Sequence, residues 1–259
     1  MRDLATRDSA ITAVQSGTGD DIVILHSLLS DRAAFNAVLP RLAARHRVTL
    51  LNLPGFHGSR TVAPAVEAYV DAIGGAIEEW GIDSNMTLMG NGFGGTLAIA
   101  LAAMKPELLS RLVVVDAAAA FPDVGRQAFV AMAGMVRADG MAAIATVAAR
   151  RVYHDAYIEK HPHVVDERRD VLLGIRPDAF LAACQILASC DLVPLLAGIG
   201  KPTLVVYGAK DQATPPELNH VIASQVPDAR EHVIEDCGHC PPLENPRAFL
   251  SALKGFIAL

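Results

Sequence analysis

Apolar residues along this chain fall into short unbroken runs, separated by segments in which they recur at helical spacing. Seven runs read as strands: AITAV (10–14), DIVILH (21–26), RVTLLN (47–52), MTLMG (86–90), RLVVVD (111–116), PTLVVYG (202–208) and EHVIED (231–236). Each is followed by loop residues. Helical spacing predicts helices over 34–45, 66–80, 94–104, 217–225 and 246–257. The last opens on Pro246, a residue well suited to a first helical turn.

Strand and helix alternation of this kind predicts an α/β protein: a mostly parallel, twisted sheet with helices on both faces. The alternation stops between RLVVVD and PTLVVYG, where the chain is rich in Ala and Met and shows no strand pattern. We therefore expect a core built from 1–120 and 196–259 and a helical lid over 121–195, lying above the carboxyl ends of the strands, where open α/β sheets bind ligands. Phe129, Met132, Met135 and Leu181 are candidates to line the pocket from the lid, though such residues serve equally well to pack a lid onto a core.

With 52% hydrophobic and 19% charged residues in 259, the composition is that of a folded chain with one substantial core. A formal net charge of -6 supplies no basic footprint, so a nucleic-acid partner is not expected; a small neutral or anionic molecule is. The most apolar long stretch is interrupted by Arg137 and Asp139, which argues against a membrane span. MRDLATRDSA carries charges without a following apolar segment and is not read as a secretory signal. A cytoplasmic monomer or homodimer is the expectation.

The four cysteines, Cys184, Cys190, Cys237 and Cys240, do not form the framework of a secreted domain. CGHC at 237–240 spells the dithiol motif of disulfide isomerases, but that motif opens a helix early in a small domain, and here it runs straight into Pro241 and Pro242. A zinc site from Cys237, His239 and Cys240 lacks a second cluster. No metal and no cofactor are expected.

The stretch TLMGNGFGGTLAIA (87–100) admits two chemistries. Gly90, Gly92 and Gly95 satisfy G-x-G-x-x-G, the phosphate turn of dinucleotide folds, and Asp116 ends the next strand near the spacing of a ribose-binding acid. That fingerprint normally opens the first βαβ unit, however, and small residues that pack a helix onto a strand explain Gly94 and Gly95 without a ligand. The same stretch also reads as the strand-turn-helix elbow G-x-S-x-G, with Gly92 where a nucleophilic serine would stand. Four further motifs join it in order. HSLLSD (26–31) follows an early strand, and NLPGFHGS (52–59) follows the next. YGAKDQATPP places Asp211 just past a late strand, and EDCGHCPPLENP places His239 in a turn before the terminal helix.

In that order the motifs resemble the α/β-hydrolase family over essentially the whole chain. HSLLSD, CGHCPPLENP and the stretch from Arg176 to Pro216 are most similar to 3-oxoadipate enol-lactonases, whereas GNGFGG resembles the elbow of meta-cleavage-product hydrolases, which cut a carbon–carbon bond in vinylogous diketones. The resemblance implies Asp211 and His239 as acid and base and backbone N–H groups of Leu28 and Phe93 as the oxyanion hole, with His26, Ser27 and Asn91 beside the substrate. It also implies a carbonyl substrate of aromatic catabolism.

Gly92 carries no atom that can attack, yet glycine adopts a strained elbow readily, so loss of chemistry need not mean loss of fold. Three readings remain open: a serine replaced to silence a hydrolase, a natural lyase, decarboxylase or cyclase that uses His239 as its base, and a binding protein without chemistry. Restoring serine at residue 92 is expected to raise esterase turnover at least about a thousandfold, for a loss of about 1 kcal/mol in stability.

Overall fold

The computed structural model describes residues 1–8 and 10–259. Its strands are β1 Arg2–Ala5, β2 Thr12–Ser16, β3 Asp20–Leu25, β4 His46–Asn52, β5 Thr87–Asn91, β6 Arg111–Val115, β7 Thr203–Gly208 and β8 Ala229–Ile234. They form one sheet in the order β1-β2-β4-β3-β5-β6-β7-β8. β2 pairs antiparallel with β1 and β4, and the remaining neighbours are parallel. The helices are α1 Leu39–Ala43, α2 Val66–Glu79, α3 Phe93–Met104, α4 Asp123–Asp139, α5 Ala145–Arg150, α6 Asp155–Lys160, α7 His163–Leu173, α8 Pro177–Ser189, α9 Pro216–Gln225, α10 Pro241–Glu244 and α11 Pro246–Leu253. This is the α/β-hydrolase fold.

The interior strands are apolar and buried almost throughout, as in Ile22–Leu25 of β3 and Leu112–Val115 of β6, because helices cover both faces of a parallel sheet. The two edges differ. β8 exposes Arg230, Glu231 and His232, and β1 carries Arg2 and Asp3. Charge on an edge strand deters pairing with another chain; β8 still holds the apolar pair Val233–Ile234, whereas β1 is four residues with only Leu4 and Ala5 apolar, which is why β1 has no counterpart among the seven strands expected from the pattern.

Two helices are shorter than their spacing suggests. The 34–45 segment divides into a 3-10 turn, Arg32–Phe35, and α1, with Pro40 in the first turn of the latter. α11 ends at Leu253, and Gly255 follows at φ +79°. Between β6 and β7 lie α4 to α8, with α4 packed against α8 and a bridge from Ala120 to Asp191 joining the two ends of the segment. No single helix among the described residues is long and apolar enough to cross a membrane.

The strand order reverses at β3: β4 lies on one side of it and β5 on the other. The carboxyl ends of β3 and β5 therefore border a crevice, the usual ligand position in an open α/β sheet. The glycine turn lies there. A Cβ on Gly94 would fall within 2.6 Å of His26 O, and one on Gly95 within 2.5 Å of Ala117 Cβ. These glycines let α3, ten of whose twelve residues are buried, press against the sheet, and the space a dinucleotide phosphate would need is filled by protein backbone.

Candidate active site

Asp211 lies in the turn after β7. Its Oδ1 accepts the N–H groups of Ala213 at 2.7 Å and Thr214 at 3.1 Å, and its Oδ2 accepts the Thr214 hydroxyl at 2.5 Å. Burial alone would raise this carboxyl, but the charge of His239 and the hydrogen bonds from His239 and Thr214 outweigh it and hold it below its ordinary value. His239 follows β8, and its Nδ1 is 2.9 Å from Asp211 Oδ2. Nδ1 is therefore the protonated nitrogen and Nε2 the free acceptor.

The loop of His239 is fixed from both sides. Its N–H donates to Val152 O at 3.0 Å, and its carbonyl accepts Asn91 Nδ2 at 3.0 Å. Glu244 accepts the Gly238 N–H at 3.0 Å and pairs with His154, tying the loop to α6. Nε2 faces a cavity. Its hydrogen-bonding neighbour is Ser27, whose Oγ lies 3.2 Å away.

Gly92 forms the turn between β5 and α3 at φ +54° and ψ -119°, a conformation that L-residues rarely adopt. A Cβ there would sit 2.9 Å from His239 Nε2. It would also sit 2.9 Å from Ser27 Cβ and still closer to Ser27 Oγ, so a serine cannot simply be added at residue 92. The cost exceeds the backbone strain that the sequence alone suggested.

Leu28 and Phe93 border the cavity, and neither N–H meets an acceptor among the described residues. Buried N–H groups are seldom left unpaired, and these two are free to hold a developing negative charge. Phe129 and Met132 line the cavity from α4, joined by Phe121 and by Leu187 of α8.

Met135 and Leu181 lie elsewhere. The α4 residues that line the cavity are Gly125, Ala128, Phe129 and Met132, and Met135, on nearly the same face as Ala128, lies about 10 Å further along the helix; Leu181 is six residues from Leu187, which turns it by about 240° beyond one full turn. Met135 accordingly is 44% exposed, and Leu181 packs against the core.

His26 and Asn91 also do not reach the cavity. The His26 ring donates from Nδ1 to Ser27 O at 2.9 Å and accepts the Leu53 N–H at Nε2 at 3.2 Å, with Phe56 edge-on at 4.9 Å. Burial lowers its pKa to about 4, so it is a neutral pin for the loop after β3. Asn91 donates to Val115 O and His239 O and accepts Cys240 Sγ–H. Both act on the substrate region through the backbone they hold. Phe121 and Leu187 went unmarked because one buried apolar residue looks like another in sequence.

Asp116, at the end of β6, places a second carboxyl beside Asp211, and these two with His239 put three potential cation ligands within 4.8 Å of one another. Burial first, and then the Asp211 charge, push the Asp116 carboxyl well above the carboxylate range, against one N–H bond from Gly208 at 2.9 Å. The cysteines are free and buried, and burial raises the Cys240 thiol to about 12, so the CGHC sequence holds no reactive thiolate.

Residues 22–252 match the family described as the alpha/beta hydrolase family, and the chain belongs to it. Among curated proteins it is 27% identical over 260 residues to a pimeloyl-[acyl-carrier protein] methyl ester esterase of Aeromonas hydrophila, covering 96% of this chain and 99% of that one. It is 28% identical over 267 residues to a 2-hydroxymuconate semialdehyde hydrolase of a Pseudomonas species, covering 94% and 88%. The crystal structure of an enol-lactonase from Burkholderia xenovorans superposes with a TM-score of 0.91 at 24% identity, over 98% of this chain and 99% of the other, and shows the shared fold.

Proposed function

We propose that this chain is a hydrolase of a small ester or lactone in which Gly92 stands at the nucleophile position of the elbow, so that carbonyl hydrolysis runs slowly on the His239–Asp211 pair. The observation that carries this reading is the 2.9 Å bond from His239 Nδ1 to Asp211, which leaves Nε2 free as a base at the wall of a mostly apolar cavity. Asp211 holds the imidazole in that tautomer and stabilises the imidazolium that forms when Nε2 takes a proton. The Leu28 and Phe93 N–H groups are placed to receive the carbonyl oxygen as it becomes an oxyanion.

Ester hydrolysis is taken over carbon–carbon cleavage on the likeness to the methyl ester esterase, which the chain matches over 96% of its own length and 99% of that protein's, against 94% and 88% for the semialdehyde hydrolase. Phe121, Phe129, Met132 and Leu187 supply an apolar wall for the acyl part, and Arg151 brings a cation to the cavity lining, suited to a substrate with an anionic tail. Four free thiols fit a reducing compartment such as the cytoplasm.

The test is a panel of small p-nitrophenyl esters and five- and six-membered lactones, assayed with the wild-type chain and His239→Ala. Slow turnover that disappears in His239→Ala is the expected result. Absence of turnover, together with a panel compound that raises Tm, would instead make the pocket a binding site without chemistry.

A further inference from the structure

We propose that the nucleophile of this site is Ser27, a serine of the loop after β3, taking the place of the side chain that Gly92 lacks. The inference rests on the hydrolase reading above and goes beyond it by naming the attacking atom. Ser27 is 2% exposed and borders the cavity, and its Oγ lies 3.2 Å from His239 Nε2, the one ring nitrogen not engaged by Asp211. Ser27 Oγ, His239 and Asp211 thus form a continuous serine, histidine and carboxylate series, the arrangement recognised by geometry and not by position in the chain.

The same place in space serves both residues. A Cβ at Gly92 would overlap Ser27 Oγ and lie 2.9 Å from His239 Nε2. A side chain at residue 92 would therefore force the Ser27 hydroxyl out of its present position, and glycine at 92 leaves that position beside the histidine to Ser27. The loop is held in this position by protein alone. Gly94 N–H donates to His26 O at 3.1 Å, while the His26 ring bonds to Ser27 O at 2.9 Å and to the Leu53 N–H at 3.2 Å. The close approach of His26 O requires that Gly94 have no Cβ.

The oxyanion donors need no change. An elbow nucleophile would use the N–H of the residue after it, Phe93, and one from the loop after β3, Leu28. With Ser27 attacking, Leu28 becomes the residue after the nucleophile and Phe93 the donor from across the crevice. Both N–H groups are without acceptors among the described residues.

The reaction then balances as an acyl transfer to water. His239 Nε2 takes the Ser27 hydroxyl proton as Oγ bonds to the carbonyl carbon, and the carbonyl π pair moves to oxygen between the Leu28 and Phe93 N–H groups. Collapse breaks the bond to the leaving oxygen, which receives the proton from His239, and an acyl ester remains on Ser27. Water, deprotonated by the same nitrogen, attacks that ester and returns the proton to Ser27 as the acid departs.

The test treats the full-length chain with a small alkyl fluorophosphonate, which phosphonylates an activated serine without regard to the natural substrate. The adduct is then mapped by peptide fragmentation that separates Ser27 from Ser30. We expect the adduct on Ser27, its loss in His239→Ala, and a fall of at least about 100-fold in p-nitrophenyl acetate turnover in Ser27→Ala, well short of the million-fold a nucleophile can contribute. Ser27→Ala that keeps its turnover within about threefold of wild type, with no adduct on Ser27, overturns the proposal while leaving the hydrolase reading intact, because His239 then activates water directly. Lack of both turnover and adduct in the wild-type chain overturns the two together.

Discussion

Two loops border the crevice between β3 and β5, and they have divided the work of this site differently from what either sequence suggests alone. The turn after β5, at Gly92, has the strained backbone of a nucleophile-bearing elbow, with φ +54°, and no side chain. The loop after β3 has an ordinary backbone and a hydroxyl, Ser27 Oγ, 3.2 Å from His239 Nε2. His239, on the loop after β8 and held at Nδ1 by Asp211 on the loop after β7, has its Nε2 within reach of both: 3.2 Å from Ser27 Oγ and 2.9 Å from where a Cβ at residue 92 would sit. The comparison teaches that an acid–base pair defines a point in space, and that any loop reaching the point can supply the group that stands there.

The largest effect falls on what the two loops share. His239→Ala is expected to lower ester turnover about a thousandfold or more in steady-state assays, since it removes the base from either route. Asp211→Asn follows, with a loss of about a hundredfold or more, because an amide at that position no longer selects the Nδ1–H tautomer. Undiminished turnover in either variant would separate both loops from the chemistry.

Effects on packing come next. Gly94→Ala drives a Cβ to within 2.6 Å of the His26 carbonyl, and we expect a loss of about 2–3 kcal/mol in denaturant unfolding as the loop after β3 lifts. Gly92→Ser alone displaces Ser27 and is expected to cost about 1–3 kcal/mol, with a smaller gain in turnover than a substitution made with Ser27 removed.

The smallest effects probe the surroundings. Arg151→Ala is expected to raise KM several-fold for a substrate with a carboxylate tail and to leave neutral esters unchanged, as a KM-against-kcat comparison would show. Asp116→Asn tests the neighbouring acid. A carboxyl whose pKa is raised by folding supports the fold below its unfolded pKa, and that support is lost as pH rises toward the folded value. The amide carries no such dependence, so Asp116→Asn is expected to raise Tm at neutral pH by more than it does near pH 4.

Much of the fold was legible because its signals are local. Unbroken runs such as RLVVV and TLVVY are buried on both faces, and a strandless interval separates them. β1 was not legible, since its four residues, RDLA, are too few to show a pattern. At the site, the chain order of Gly92, Asp211 and His239 suggested three loops, which the structure brings together. Whether His26 faces the substrate or pins a loop depends on a side-chain rotation, and whether Met132 or Met135 lines the cavity depends on how far along α4 the cavity reaches, and spacing resolves neither. The relation between Ser27 and Gly92 is a matter of shared volume across 65 residues of chain, and no local pattern records it.

The most direct measurement moves the hydroxyl from one loop to the other. Turnover of p-nitrophenyl acetate is compared in the wild type, in Ser27→Gly, and in the double variant Ser27→Gly/Gly92→Ser, where both loss of the Ser27 side chain and gain of one at the elbow leave a single serine hydroxyl facing His239 Nε2. The account predicts a loss of at least about 100-fold in Ser27→Gly and recovery to the wild-type rate or above in the double variant. A double variant no faster than Ser27→Gly would show that the two loops do not serve one reactive point and would contradict the account.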